Sequence, residues 1–192
     1  MRPIPLKRLV FGTGVAALAA FSASCNNSLG LPPALFPNTV DTTTIYALRG
    51  TAVTLPSAFD IVAGGPARTD RAEPFDFAFN IDSTGTPYFY PAGALGLSPS
   101  PGILISSSPF DSILSAPNTT YQADSAVQIS VGTVFVGRSR PSSASCSFLG
   151  ALPRYAKFQV LAIDPQARSV TFEVLIDPNC GYRDLVTGIP KQ

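Results

Sequence analysis

The sequence has no histidine, its single methionine is Met1, and only three of its 192 residues are cysteine. Without histidine, the commonest general base, the Ser-His and Cys-His nucleophile pairs and the usual zinc sites are all excluded. Charge is also scarce, since Asp, Glu, Lys and Arg together make up 13% of the chain. Paired carboxylates remain for acid–base work, but Asp76 and Asp82 fall on the outward positions of an alternating strand, where a solvated Asp is expected. The chain is therefore read as noncatalytic, with no catalytic or metal-ligating residue assigned.

A long apolar run is missing as well. Leu9 to Phe21 is apolar over 13 residues, short of the ~20 that a membrane-spanning helix needs. It follows Arg2, Lys7 and Arg8 and precedes Ser22-Ala23-Ser24-Cys25, the layout of a signal peptide that ends in a bacterial lipobox. Ser22 stands where such a box usually has Leu. Residues 1–24 are read as the signal peptide, Cys25 as the lipidated residue, 25–40 as a tether rich in Pro and polar residues, and 41–192 as one domain. Plain secretion and a retained anchor are the alternatives. Asn26 after the lipid Cys is not Asp, which by the enterobacterial sorting rule sends the protein to the outer membrane. The lipid bilayer is then one partner.

Arg2, Lys7 and Arg8 leave with the peptide, so the counts become 10 Lys and Arg against 12 Asp and Glu, a net charge of −2. There is no basic stripe, and hence no electrostatic reason to expect nucleic acid. The two remaining cysteines, Cys146 and Cys180, flank the open end of a C-terminal hairpin. In an oxidising compartment they are expected to pair, closing a loop of ~35 residues for about 3 to 4 kcal/mol. Two separate buried thiols are the alternative.

What is abundant is turn-forming and β-forming residues, with 19 Pro and 15 Gly between short alternating runs. In Tyr155 to Ile176, Phe158 and Val160 on one strand and Val170, Phe172, Val174 and Ile176 on the other mark a core face, with Asp164-Pro165 opening a type I turn. Placing Ile163 opposite Ser169 sets Phe158 against Val174, Val160 against Phe172, and Gln159 against Glu173, with Lys157 on the outer face. A second hairpin runs from Phe75 to Tyr90 around Ser83-Thr84-Gly85, with Gly85 in the left-handed position. Pairing Asp82 with Thr86 places Phe79 opposite Phe89 in the core, and Asn80 beside Tyr88 and Ala78 beside Tyr90 outside. Ser108 to Pro117 carries the one helix signal, a Ser cap followed by Pro109 and Asp111. No internal repeat or second domain boundary is visible. The predicted fold is an all-β, antiparallel, sandwich-like domain with one short helix.

Several segments in order, Phe75 to Phe79 (FDFAF), Phe110 to Asp124 (FDSILSAPNTTYQAD), Thr133 to Arg138 (TVFVGR) and Tyr155 to Phe172, resemble strands and turns of the HmuY-like bacterial lipoproteins. Phe75 stands where that family often has Trp. The resemblance implies an all-β domain anchored to the outer membrane, in a family whose founding members capture haem between His or Met ligands. This chain can supply neither. The residues left for a flat ligand are Tyr88 and Tyr90, with Asn80 beside them; a tyrosine phenolate is one known haem ligand. A small hydrophobic ligand or a surface partner is expected, with a structural or adhesive role as the alternative. Asn80 to Gly85 also looks like the first half of a calcium loop, but its twelfth position is Pro91 instead of a bidentate Glu.

Overall fold

The computed structural model describes residues 30–71, 73–142 and 150–190. Residues 1–24, read as a signal peptide, and Cys25 and Cys146 lie outside them. Thr39–Tyr46, Ala58–Asp60, Gly65–Ala67, Phe77–Ile81 and Pro87–Pro91 are strands β1 to β5. Gly102–Ser106, Val127–Gln128, Val134–Arg138, Tyr155–Asp164 and Ser169–Ile176 are β6 to β10. They form two antiparallel five-stranded sheets, ordered β1-β10-β9-β8-β6 and β3-β2-β4-β5-β7. The protein is an all-β sandwich, as its alternating apolar pattern predicts.

The β4–β5 hairpin has the expected register, with Phe79 opposite Phe89, Asn80 opposite Tyr88 and Ala78 opposite Tyr90. Its turn also forms as expected: Asp82 N–H donates to the Thr86 carbonyl (2.9 Å) and Gly85 takes φ +88°. In the β9–β10 hairpin the pairs Phe158/Val174, Gln159/Glu173 and Val160/Phe172 form as expected, but the register shifts between Phe172 and Thr171. Leu161 is the extra residue of a β-bulge. Beyond it Ile163 faces Val170 and Asp164 faces Ser169, so the expected Ile163–Ser169 pair does not form. The bulge lets Ile163, instead of Ala162, pack against the core beside Val170.

Seven phenylalanines fill the space between the sheets, Phe59, Phe77, Phe79 and Phe89 from one and Phe135, Phe158 and Phe172 from the other. Phe77 is the hub, within 6.2 Å of the ring centroids of Phe59, Phe89, Phe135, Phe158 and Phe172. Offset and edge-on pairs of this kind add about 0.5–1.5 kcal/mol each beyond the area they bury. Gly137 on β8 is required by this packing, because a Cβ there would lie 2.8 Å from Ile61 and 2.9 Å from Phe158.

The outer face of the β1-β10-β9-β8-β6 sheet is not open to water. Phe110, Ile113, Ala116 and Tyr121 from the β6–β7 connection, with Leu185 from the C-terminal segment, cover Val134, Val136, Tyr155 and Leu175. Lys157, expected on a solvated face, is consequently 4% exposed. Its Nζ donates to the carbonyls of Phe110 (3.0 Å) and Ile113 (3.1 Å). Those carbonyls would serve the next turn of the expected helix at 108–117. Instead the chain forms a single 3-10 turn, Phe110–Ser112, with Pro109 in the cap position and no side-chain cap bond. Leu114, which follows this turn, is exposed.

Candidate functional site

Tyr88 and Tyr90 sit half-buried on the outer face of β5, alternating with the buried Phe89. Their rings are 6.2 Å apart and inclined at 59°. Asn80 lies across from Tyr88, and its Oδ1 accepts the Arg49 backbone N–H at 3.2 Å. The three residues of the proposed aromatic wall are thus neighbours. None of them lines the grooves described below. The half-calcium-loop residue Asp82 spends Oδ1 on Thr84 N–H (2.8 Å), Thr84 hydroxyl (2.7 Å) and Thr86 N–H (2.9 Å), which makes it a staple of the hairpin turn. These donors hold its carboxyl below the ordinary value.

Asp76 is the clearest departure from the sequence reading. Expected to be solvated, it is 1% exposed. β4 starts only at Phe77, so the alternation that assigned Asp76 to an outer face does not extend to it. Its Oδ2 accepts Ile61 N–H (2.7 Å), and its Oδ1 accepts Arg140 N–H (2.8 Å) and Arg140 Nη1 (3.2 Å). Arg140 Nη2 donates to Asp60 Oδ2 at 2.8 Å. Burial pushes the Asp76 carboxyl up, while its bonds to Arg140 pull the other way. Every oxygen of Asp76 is occupied by a donor that ties β2, β4 and the end of β8 together, which makes this cluster a clamp between sheets. By contrast, Arg68–Asp70 (2.6 Å) and Arg71–Glu73 (3.5 Å) are the exposed surface pairs that their polar loop suggests.

A concave surface lies where the N-terminal segment crosses the C-terminal one. Residues read as a tether are packed against the body from Leu31 onward. Asn179 clamps them, its Oδ1 accepting the N–H groups of Leu35 (2.9 Å) and Phe36 (3.1 Å) and its Nδ2 donating to the Phe36 carbonyl (2.8 Å). The Tyr182 hydroxyl donates to the Pro32 carbonyl (2.7 Å). Asn38 and Gly188 exchange backbone bonds of 2.7 and 3.0 Å, and Asn38 Nδ2 donates to the carbonyls of Asp184 and Val186. Sequence alone gave no sign of this strap, because its partners are ~145 residues away and Pro-rich composition looks the same in a docked strap as in a linker.

No known family model matches the sequence, and no curated protein matches it. The groove under the strap has a volume of about 370 Å³, lined by Pro32, Pro33, Leu35, Phe36, Arg154, Pro178, Asn179, Cys180 and Tyr182. Arg154 is its one charged lining residue and also borders a second groove, of about 210 Å³, toward Val62 and Ile176. Nη1 of Arg154 donates to the Val62 carbonyl, while its Nε is buried without a partner. Burial pulls its pKa down, opposed by Asp177 and Asp60. Cys180 lies at the groove's edge. The groove can hold an apolar group beside an anionic one, because its walls are proline, leucine and aromatic rings and its charge is a single guanidinium. Among the described residues no helix is long and apolar enough to cross a membrane.

Proposed function

We propose that the chain is a noncatalytic cell-envelope lipoprotein, lipidated at Cys25 and held at the outer membrane, that binds its partner through surface grooves and not in an internal cavity. One observation carries this reading: the space between the sheets, where a sandwich could enclose a ligand, is occupied by phenylalanine rings, while the strap groove with Arg154 is open. Kinship with HmuY-like lipoproteins, at the level of the fold, is proposed on the resemblance of the sequence segments Phe75 to Phe79, Phe110 to Asp124, Thr133 to Arg138 and Tyr155 to Phe172. Haem capture through histidine is not part of the proposal, since the chain has none. A structural or adhesive role is the second reading, favoured by exposed apolar side chains such as Leu35, Val53, Leu114 and Val131. Pairing of Cys146 with Cys180 belongs to the same proposal.

Precursor made in cells with labelled fatty acid should gain lipid, and Cys25→Ser should release the protein in soluble form. Unchanged membrane partition of that variant would refute the anchor. Non-reducing peptide maps should link Cys146 to Cys180. Native mass spectrometry of protein drawn from the source envelope separates the two readings, because a retained small molecule supports ligand binding and a bare chain supports the structural role.

A further inference from the structure

We infer that the strap end of the sandwich docks on the bilayer surface, with Leu35 and Phe36 inserted among the lipids. The inference rests on the proposed lipid at Cys25. Five residues, Asn26 to Gly30, separate that cysteine from Leu31, where the chain becomes packed against the body. Even fully extended, that connection spans roughly 20 Å. The ten residues of β9 make the sandwich about 33 Å long. The strap lies at the end where β9 begins, because Asp177 N–H donates to the Tyr155 carbonyl there. Bringing the opposite end to the membrane would lift Leu31 by the full length of the body, farther than the connection reaches. The anchor therefore rules out docking by the opposite end.

That face has the right chemistry. Leu35 is 75% exposed and Phe36 59% exposed, although the backbone of both is fixed by Asn179, so their exposure is a held geometry. Val186 and Ile189, also exposed, flank Gly188 on the segment paired with the strap. Arg154 supplies the cation that phosphate groups of the bilayer complement. Without the lipid chain so small an apolar contact would bind weakly. With the chain inserted, contact becomes intramolecular and is strengthened by effective concentration.

The chain contains no tryptophan, so a single Trp reports its own surroundings. Leu35→Trp, Phe36→Trp and, at the far end of the sandwich, Val131→Trp are compared in the protein beginning at Cys25, coupled through that thiol to maleimide-lipid vesicles containing brominated phosphatidylcholine. Emission from positions 35 and 36 should shift to the blue and fall at least twofold relative to unbrominated vesicles, while position 131 stays unchanged. Quenching absent at both strap positions, or equal at position 131, would overturn the docked face. The intact mass of the protein made in cells is read separately, and an unlipidated mature chain would overturn the anchor and with it this placement.

Discussion

The Nζ of Lys157 stands 4.5 Å from the centroid of the Phe110 ring while donating to the Phe110 carbonyl, so one buried cation grips both the side chain and the backbone of a single residue. Desolvation pulls its pKa down, opposed by Asp111, Glu173 and Asp184. Lys157→Met keeps an apolar stem but leaves two carbonyls without their donor. The expected loss is about 1–3 kcal/mol, read from urea unfolding, with amide exchange accelerating more in 109–117 than in β9. Unchanged exchange in that loop would show that the lysine does not hold it.

Phe172 is fully buried and touches Phe59, Phe77, Phe89 and Phe158, whereas Thr171 on the same strand is half-buried and shares a 2.8 Å hydroxyl contact with Thr44. Phe172→Ala should cost about 3–5 kcal/mol, and Thr171→Ala no more than about 1 kcal/mol. Equal losses in denaturant midpoint would mean the faces are reversed.

Arg140 is the partner of two buried carboxylates. Arg140→Met fills similar space but strands Asp60 and Asp76, with an expected cost of about 3–5 kcal/mol. Asp76→Asn should cost less, because Arg140 keeps Asp60. A milder effect for Arg140→Met than for Asp76→Asn would contradict the clamp.

Asp177 is wholly buried, and its Oδ2 lacks a partner. Burial raises its pKa above the ordinary 3.8, against the bonds from Asn179. Below 3.8 both folded and unfolded chains hold the proton and the group is neutral in each. As pH rises from there through the folded pKa, the unfolded chain ionises first, so the group withdraws stability until the folded carboxyl has also ionised. Asp177→Asn lacks this titration. Its stability relative to the wild type should therefore climb with pH across that window, in urea midpoints taken at a series of pH values. A flat difference would show that the carboxyl titrates normally.

Haemin added to the domain beginning at Cys25 should give no tight one-to-one Soret shift. Any weak shift should disappear in Tyr88→Phe or Tyr90→Phe, neighbouring tyrosines on the outer face of β5. A tight stoichiometric complex that survives both substitutions would restore haem capture as the leading function.

How far these features could be read from sequence depends on the range over which each is encoded. The β4–β5 register was legible because Phe77, Phe79 and Phe89 alternate with polar neighbours, and Gly85 fixes the turn. The β9–β10 bulge leaves a trace in the packing: the core-facing apolar positions run even at Phe158 and Val160 and odd at the partly buried Ile163, a change of parity that needs one extra residue. Asp76 left none, since its partners Ile61 and Arg140 lie 15 and 64 residues away. Lys157 was assigned to water because strand alternation predicts which residues share a face, while what covers that face is decided by distant loops. The strap was hidden for the same reason.

The strap also sets how the molecule carries mechanical load. Tension arriving through the chain before Leu31 is met first by Leu31 against Gly181, then by the Tyr182–Pro32 bond, the Asn179 clamp and the Asn38–Gly188 pair. Each of these couples the pulled segment to the C-terminal segment. Force is thus shared with a second stretch of chain before β1 feels it, and the strap would peel away one bond at a time while the phenylalanine core stays intact.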